Sequence, residues 1–194
     1  MRWINAYLAP IVVLVLSVAF YWGNFALVLS ETTHDVQLGT AVEHDAKVNS
    51  GFCIYPNSKL GKLVAEELKS RGEKVLLFSS PIQCDGQFLA VWVEWLNTTY
   101  TPLFSKGEIR IGAIYSSAGD PSHYLIYRNA TDKREALISF EKSRRPQIRG
   151  YVILTVSDTS KGIMSFRGYS EHMMNEAAKA LADSLEKLQQ EEDE

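Results

Sequence analysis

Cysteine is nearly missing from this chain of 194 residues: Cys53 and Cys84 are the only two. No CxxC pair can therefore hold zinc or run dithiol exchange. Histidine is almost as scarce, and its four copies form no HExxH metal motif. A GxSxG nucleophile elbow and a GxxxxGK[ST] phosphate loop are both absent, as is any paired-carboxylate signature. Charge of one sign is missing too: 20 Lys and Arg against 23 Asp and Glu give a formal charge of −3, which offers no general attraction for nucleic acid. There is no internal repeat and no low-complexity block. These absences argue against an enzyme and imply no catalytic residue, no cofactor and no metal.

What is present begins with an apolar run, Tyr7 to Leu29, that carries no charge. As a helix rising about 1.5 Å per residue it has the length to cross roughly 30 Å of hydrocarbon. The sequence therefore predicts a transmembrane anchor over residues 1–29, with Arg2 on the cytoplasmic side and the acids that follow outside. A cleaved secretory signal is the competing reading, with Ser17-Val18-Ala19 as the cleavage site. It would leave a greasy new N-terminus and an overlong apolar core. Trp22, Gly23 and Asn24 form the expected transmembrane interface, because an Asn amide in hydrocarbon calls for a partner helix and Gly permits close approach.

Residues 30–49 read as a polar juxtamembrane stalk. His34-Asp35 and His44-Asp45 lie there, a weak metal signal without a third ligand. Residues 50–189 then carry the pattern of one extracytoplasmic domain, and 190–194 form an acidic tail that frays. Gly51–Tyr55 is a short apolar strand. A helix follows, with Leu60, Leu63, Val64 and Leu68 at helical spacing, a cap at Asn57 or Ser58 and a stop at Gly72. Val75–Phe78 completes a βαβ unit whose strands are parallel. Its turn reads Tyr-Pro-Asn-Ser, without the glycines that would let a backbone cradle phosphate.

The spacing predicts strands over 88–96 and 108–115, another at Tyr124–Arg128, a helix from Thr131 stopped before Pro146, and a hairpin of 151–156 with 163–167 turning through Asp158–Gly162. A closing helix from Ser170 lines up Met174, Ala177, Ala178, Leu181, Leu185 and Leu188. The assembled fold class is α+β: a transmembrane helix followed by a mixed, mostly antiparallel sheet of about six strands, one face covered by two helices. At the level of element order alone this is similar to membrane-attached accessory domains of bacterial envelope machines.

The functional expectation is a non-catalytic, single-pass membrane-anchored accessory or assembly subunit of a membrane or cell-envelope complex. Its expected partners are the membrane and other envelope proteins, with no nucleic acid. The alternative is a small-ligand or lipid-binding module with a pocket between sheet and helices near Trp92 or Phe88. Lys142, Arg144, Arg145 and Arg149 form a candidate partner patch. His123 reads as ordinary surface. Cys53 and Cys84, at the two ends of the βαβ unit in an oxidising compartment, are expected to pair.

Overall fold

A computed structural model describes residues 2–139 and 146–190, with side chains described from 10 to 139 and from 146 to 189. The first helix, α1 (Arg2–Trp22), ends where the Gly23 amide bonds the Ala19 carbonyl at 2.9 Å. Three residues later the same apolar run enters a strand, β1 (Ala26–Val42). The remaining elements in chain order are β2 (Phe52–Tyr55), α2 (Lys59–Ser70), β3 (Val75–Leu77), β4 (Gln87–Tyr100), β5 (Phe104–Ser116), α3 (Ser122–Asn129), α4 (Lys133–Ile138), β6 (Ile148–Met164) and α5 (Phe166–Gln190).

This division corrects the expected anchor and with it the single-pass topology, the membrane localisation and that part of the fold class. Among the described residues no helix is long and apolar enough to cross a membrane. The run Tyr7–Leu29 is shared between two elements: the helix ends at Trp22, and the last four residues of the run belong to β1. Ala26–Leu29 satisfy their backbone groups against β6 instead, in the register Ala26↔Met164 to Leu29↔Lys161. The expected stalk is corrected by the same strand, because residues 30–42 are all paired with β6.

The sheet has six strands in the order β1-β6-β5-β4-β2-β3. The βαβ unit is parallel, as its short crossover demands: β2 pairs in parallel with β3 and also with β4. All other pairings are antiparallel. Ser58 caps α2 by accepting the Gly61 amide at 3.1 Å, and Gly72, at φ +92°, ends it. Together α2 and α5 cover one face. Ile109, Ile111 and Tyr115 of β5 and Leu154 and Val156 of β6 meet Met173, Ala177, Leu181 and Leu185 of α5 there, forming the main core.

The second face is covered at one end only. Ile114, Ile153 and Leu137 are buried there with Trp92, Tyr124, Tyr127 and Tyr151 packed around them. The covering element corrects the expected strand at Tyr124–Arg128, which is the helix α3. Tyr124 and Tyr127 stand three apart, one helical turn, and both face Trp92, with the Tyr127 ring stacked on it at 4.8 Å. The Trp92 ring lies across Gly112, where an added Cβ would come within 2.3 Å of it. The expected helix from Thr131 forms as α4, capped by Asp132 accepting the Glu135 amide at 3.0 Å.

The expected hairpin within 151–167 is also corrected: β6 is one continuous strand of 17 residues, lying between the edge strand β1 and β5. Asp158, Ser160 and Gly162 signal a turn in the sequence, yet Asp158 and Ser160 are buried under α5. Gly162, at φ +137°, lets the Leu27 carbonyl approach to where a Cβ would stand.

Candidate functional site

Two assemblies of residues stand out, one buried and polar, the other exposed and apolar. The buried one is centred on Asp158, whose side chain is 0% exposed. Its Oδ1 accepts from Thr32 Oγ1 at 2.8 Å and lies 3.2 Å from His172 Nε2, while Oδ2 accepts from Ser160 Oγ at 2.7 Å. Ser160 Oγ also lies 2.7 Å from Ser30 Oγ. Thr32 and Ser30 come from β1, Ser160 from β6 and His172 from α5, so three elements converge on one carboxylate.

Burial alone would raise the pKa of Asp158, but the hydrogen bonds from His172, Ser160 and Thr32 outweigh it and hold the group below the usual carboxylate range. The same bond raises His172 above the ordinary imidazole value, against the opposing effect of its own burial. Tyr169, whose hydroxyl reaches the Asp158 carbonyl at 3.3 Å, is raised by burial and by the neighbouring negative charge. The order of the groups differs from that of a nucleophilic triad. In a nucleophilic triad the imidazole stands between carboxylate and hydroxyl, whereas here the carboxylate stands between imidazole and hydroxyls. His172 has no hydroxyl of this cluster to deprotonate, and both Ser160 and Thr32 give their protons to Asp158.

The apolar assembly lies where α1 leaves the sheet. Leu27 and Leu29 of β1 point away from the core and are 78% and 85% exposed. Leu27 is opposite Ile163 in the register, and Leu29 is opposite Lys161, which Phe104 flanks on its other side. Ile163, Phe104 and Leu103 are exposed as well, and Trp22 at the end of α1 is 71% exposed. The base of α1 is nonetheless fixed. The Tyr21 ring stacks on Phe166 at 5.2 Å, and the Tyr100 hydroxyl lies 2.8 Å from the Met164 carbonyl oxygen and 3.0 Å from that of Phe20. A contiguous set of large exposed apolar side chains on a held scaffold is the surface expected of an interaction site.

The residues singled out from the sequence fall as follows. Cys53 and Cys84 are disulfide-bonded, with Cα atoms 6.6 Å apart. The link tethers the start of β2 to the loop before β4. Trp22 closes α1, and Gly23 and Asn24 form the connection to β1. Lys142, Arg144 and Arg145 lie outside the described residues. Arg149 stands in β6 and is 5% exposed, with its Nη2 2.7 Å from Glu43 Oε1, so it braces the sheet from within. His123 is a correction: it is buried in α3, with Nε2 3.2 Å from the Ala136 carbonyl and 3.1 Å from that of Leu137, and burial lowers its pKa. The two His-Asp pairs are separated, His34 in mid-strand and His44 exposed beside Asp45. No group of three metal-ligating side chains occurs among the described residues.

Sequence reasoning missed both assemblies. Asp158 and Ser160 carry a turn signal, and Thr32 sits in a segment polar enough to read as linker. The exposed apolar end had a usable signal in the alternation Leu27-Val28-Leu29, in which only Val28 packs against the core. Compared with known proteins, the sequence matches no family profile and no curated protein. Among solved structures the chain is similar to a PelC dodecamer from Paraburkholderia phytofirmans at 9% identity, covering 75% of this chain and 95% of that one with a TM-score of 0.33, a likeness too slight to assign a family or a function.

Proposed function

We propose that this protein is a non-catalytic accessory subunit that works by protein–protein contact, docking through the apolar end formed by Trp22, Leu27, Leu29, Phe104 and Ile163. The observation that carries the reading is the exposure of Leu27, Leu29, Phe104 and Ile163 on neighbouring strands whose opposite face is locked into the core, with Trp22 exposed at the end of α1. Monomeric proteins seldom leave so many neighbouring apolar groups in water. The disulfide supports an oxidising, extracytoplasmic compartment as the place of work, because cytosolic thiols are kept reduced. The Asp158 cluster fits the same reading: it ties β1 and α5 to β6 and so stiffens the platform that presents the apolar end.

The test compares the wild-type protein with a Leu27→Glu/Leu29→Glu variant, cross-linked in cells and purified gently. Both side chains point to solvent, so the thermal midpoint is expected to stay within about 2 °C, since surface changes typically cost under ~0.5 kcal/mol. A specific cross-linked partner should fall at least tenfold in the variant. Wild-type protein that emerges alone, a partner captured equally by both forms, or pelleting on pure phosphatidylcholine vesicles in place of any protein partner would each overturn the proposal.

A further inference from the structure

Beside the covered end of the second sheet face runs a crevice of about 550 Å³, between the open strands and the α3–α4 pair. Its floor is set by the pleat. Arg110 of β5 stands opposite Thr155, and two residues along, Gly112 stands opposite Ile153, which Gln37 of β1 flanks. Its wall is Tyr127 of α3 with Lys133, Arg134, Leu137 and Ile138 of α4. A β-bulge between Val93 and Trp95 aims Glu94 into the same space, where it meets Arg110 Nε at 3.0 Å.

The charges do not balance. Arg110, Lys133 and Arg134 bring three positive groups and Glu94 one negative group, in a protein whose net charge is −3. Glu94 engages Arg110 through Nε, and Arg110 makes no hydrogen bond among the described residues. Lys133 is held on the wall, donating to the Tyr127 carbonyl at 2.8 Å with its ammonium 5.2 Å from the Tyr127 ring. Arg134 is exposed at the rim and makes no ion pair among the described residues. Apart from Gln37, the rest of the lining is apolar or aromatic: Leu137 and Ile153 are buried beneath it, and Tyr151 and Ile138 border it. Volume, apolar lining and a few placed charges match the usual character of a small-molecule site.

We infer that this crevice binds an amphipathic organic anion, its head held by Arg110 and Arg134 and its apolar body laid on Ile153, Leu137 and Tyr151. A guanidinium offers a planar fork of donors that suits a carboxylate or phosphate head. The opposite charge, or none, would leave two cations facing the ligand without compensation. This activity is separate from the docking surface, which lies at the other end of the strands.

The test uses dodecanoate below its micellar concentration, with dodecyltrimethylammonium as the cationic control, followed by titration calorimetry on the whole chain. Dodecanoate is expected to bind with one equivalent and the cation at least tenfold more weakly. An Arg110→Gln/Arg134→Gln variant should weaken dodecanoate at least tenfold, whereas Lys106→Gln, on the same face outside the crevice, should leave it unchanged. A second variant, Leu137→Trp, fills the crevice without touching its charge and should abolish binding; unchanged thermal midpoints confirm that each variant is folded. Vesicles of phosphatidylglycerol then locate the source: binding that needs Arg110 and Arg134 points to a lipid headgroup, and its absence to a free anion. No heat with dodecanoate, equal binding of the cation, or a double arginine variant that binds as the wild type does would overturn the inference.

Discussion

Asp158→Ala is expected to lower unfolding stability by about 3–5 kcal/mol, measured by urea titration at pH 6, because removing one member of a buried ion pair strands the other. Three donors from three elements lose their acceptor at once: Thr32, Ser160 and His172. The pH dependence of the gap between wild type and variant identifies the cause. The folded pKa of His172 is raised, so its contribution is complete below the unfolded value of about 6.5 and is lost as pH climbs through the folded value. The folded pKa of Asp158 is lowered, so its contribution is complete above about 3.9 and is lost as pH falls through the folded value. The gap should therefore be widest between about pH 4 and 6.5 and narrow on either side. A gap that stays constant from pH 5 to 9 would show that the His172 charge adds nothing to the bonds from Thr32 and Ser160.

The second large effect concerns the crosslink. Cys53 and Cys84 are 31 residues apart in the chain, and a loop of that size removes unfolded-state entropy equivalent to roughly 3–4 kcal/mol. A Cys53→Ala/Cys84→Ala variant should lose about that much. Wild-type protein unfolded in the presence of reductant should lose a similar amount, since both routes release the same loop. The loss should be concentrated in β2, β3 and the loop before β4, where hydrogen exchange would speed up first. A shift below about 1 kcal/mol in both experiments would mean that the unfolded chain is compact enough to gain nothing from the tether.

Much of the fold could be read from local pattern. The cap at Ser58, the apolar spacing Leu60, Leu63, Val64, Leu68 and the stop at Gly72 are all short-range signals, and the βαβ unit followed from them. What failed were positions where a distant contact reverses the meaning of a residue. Ser30 and Thr32 alternate with outward-facing residues as a strand requires, but these inward positions are polar because they bond Ser160 and Asp158 rather than meeting hydrocarbon. A periodicity search looks for apolar residues on the inner face and finds a linker instead.

The apolar run before them failed for the opposite reason. Its lack of charge fits a membrane and an exposed docking end equally well, and only the break at Gly23–Phe25 separates helix from strand. The Tyr124–Arg128 segment was read as a strand although its two aromatics, Tyr124 and Tyr127, stand three apart, the spacing of a helical turn. The crevice could not be anticipated: Glu94 and Arg110 meet through a bulge, and a bulge shifts which face a side chain takes without leaving a compositional mark.

The position of β1 also sets an order of events during biogenesis. Ala26 pairs with Met164 and Val42 with Ile148, so each rung joins segments on the order of a hundred residues or more apart, and such contacts form late. The segment made near the beginning is thus the one that must wait until β6 has been synthesised. Until then its whole edge, together with the apolar stretch ahead of it, stays without the neighbour it needs, which is the interval when an emerging chain is most prone to mispairing. Pulse-labelled hydrogen exchange during refolding should find the β1 amides protected after those of β4 and β5. A chaperone that shields residues 10–42 should raise the yield more than one acting on any later segment.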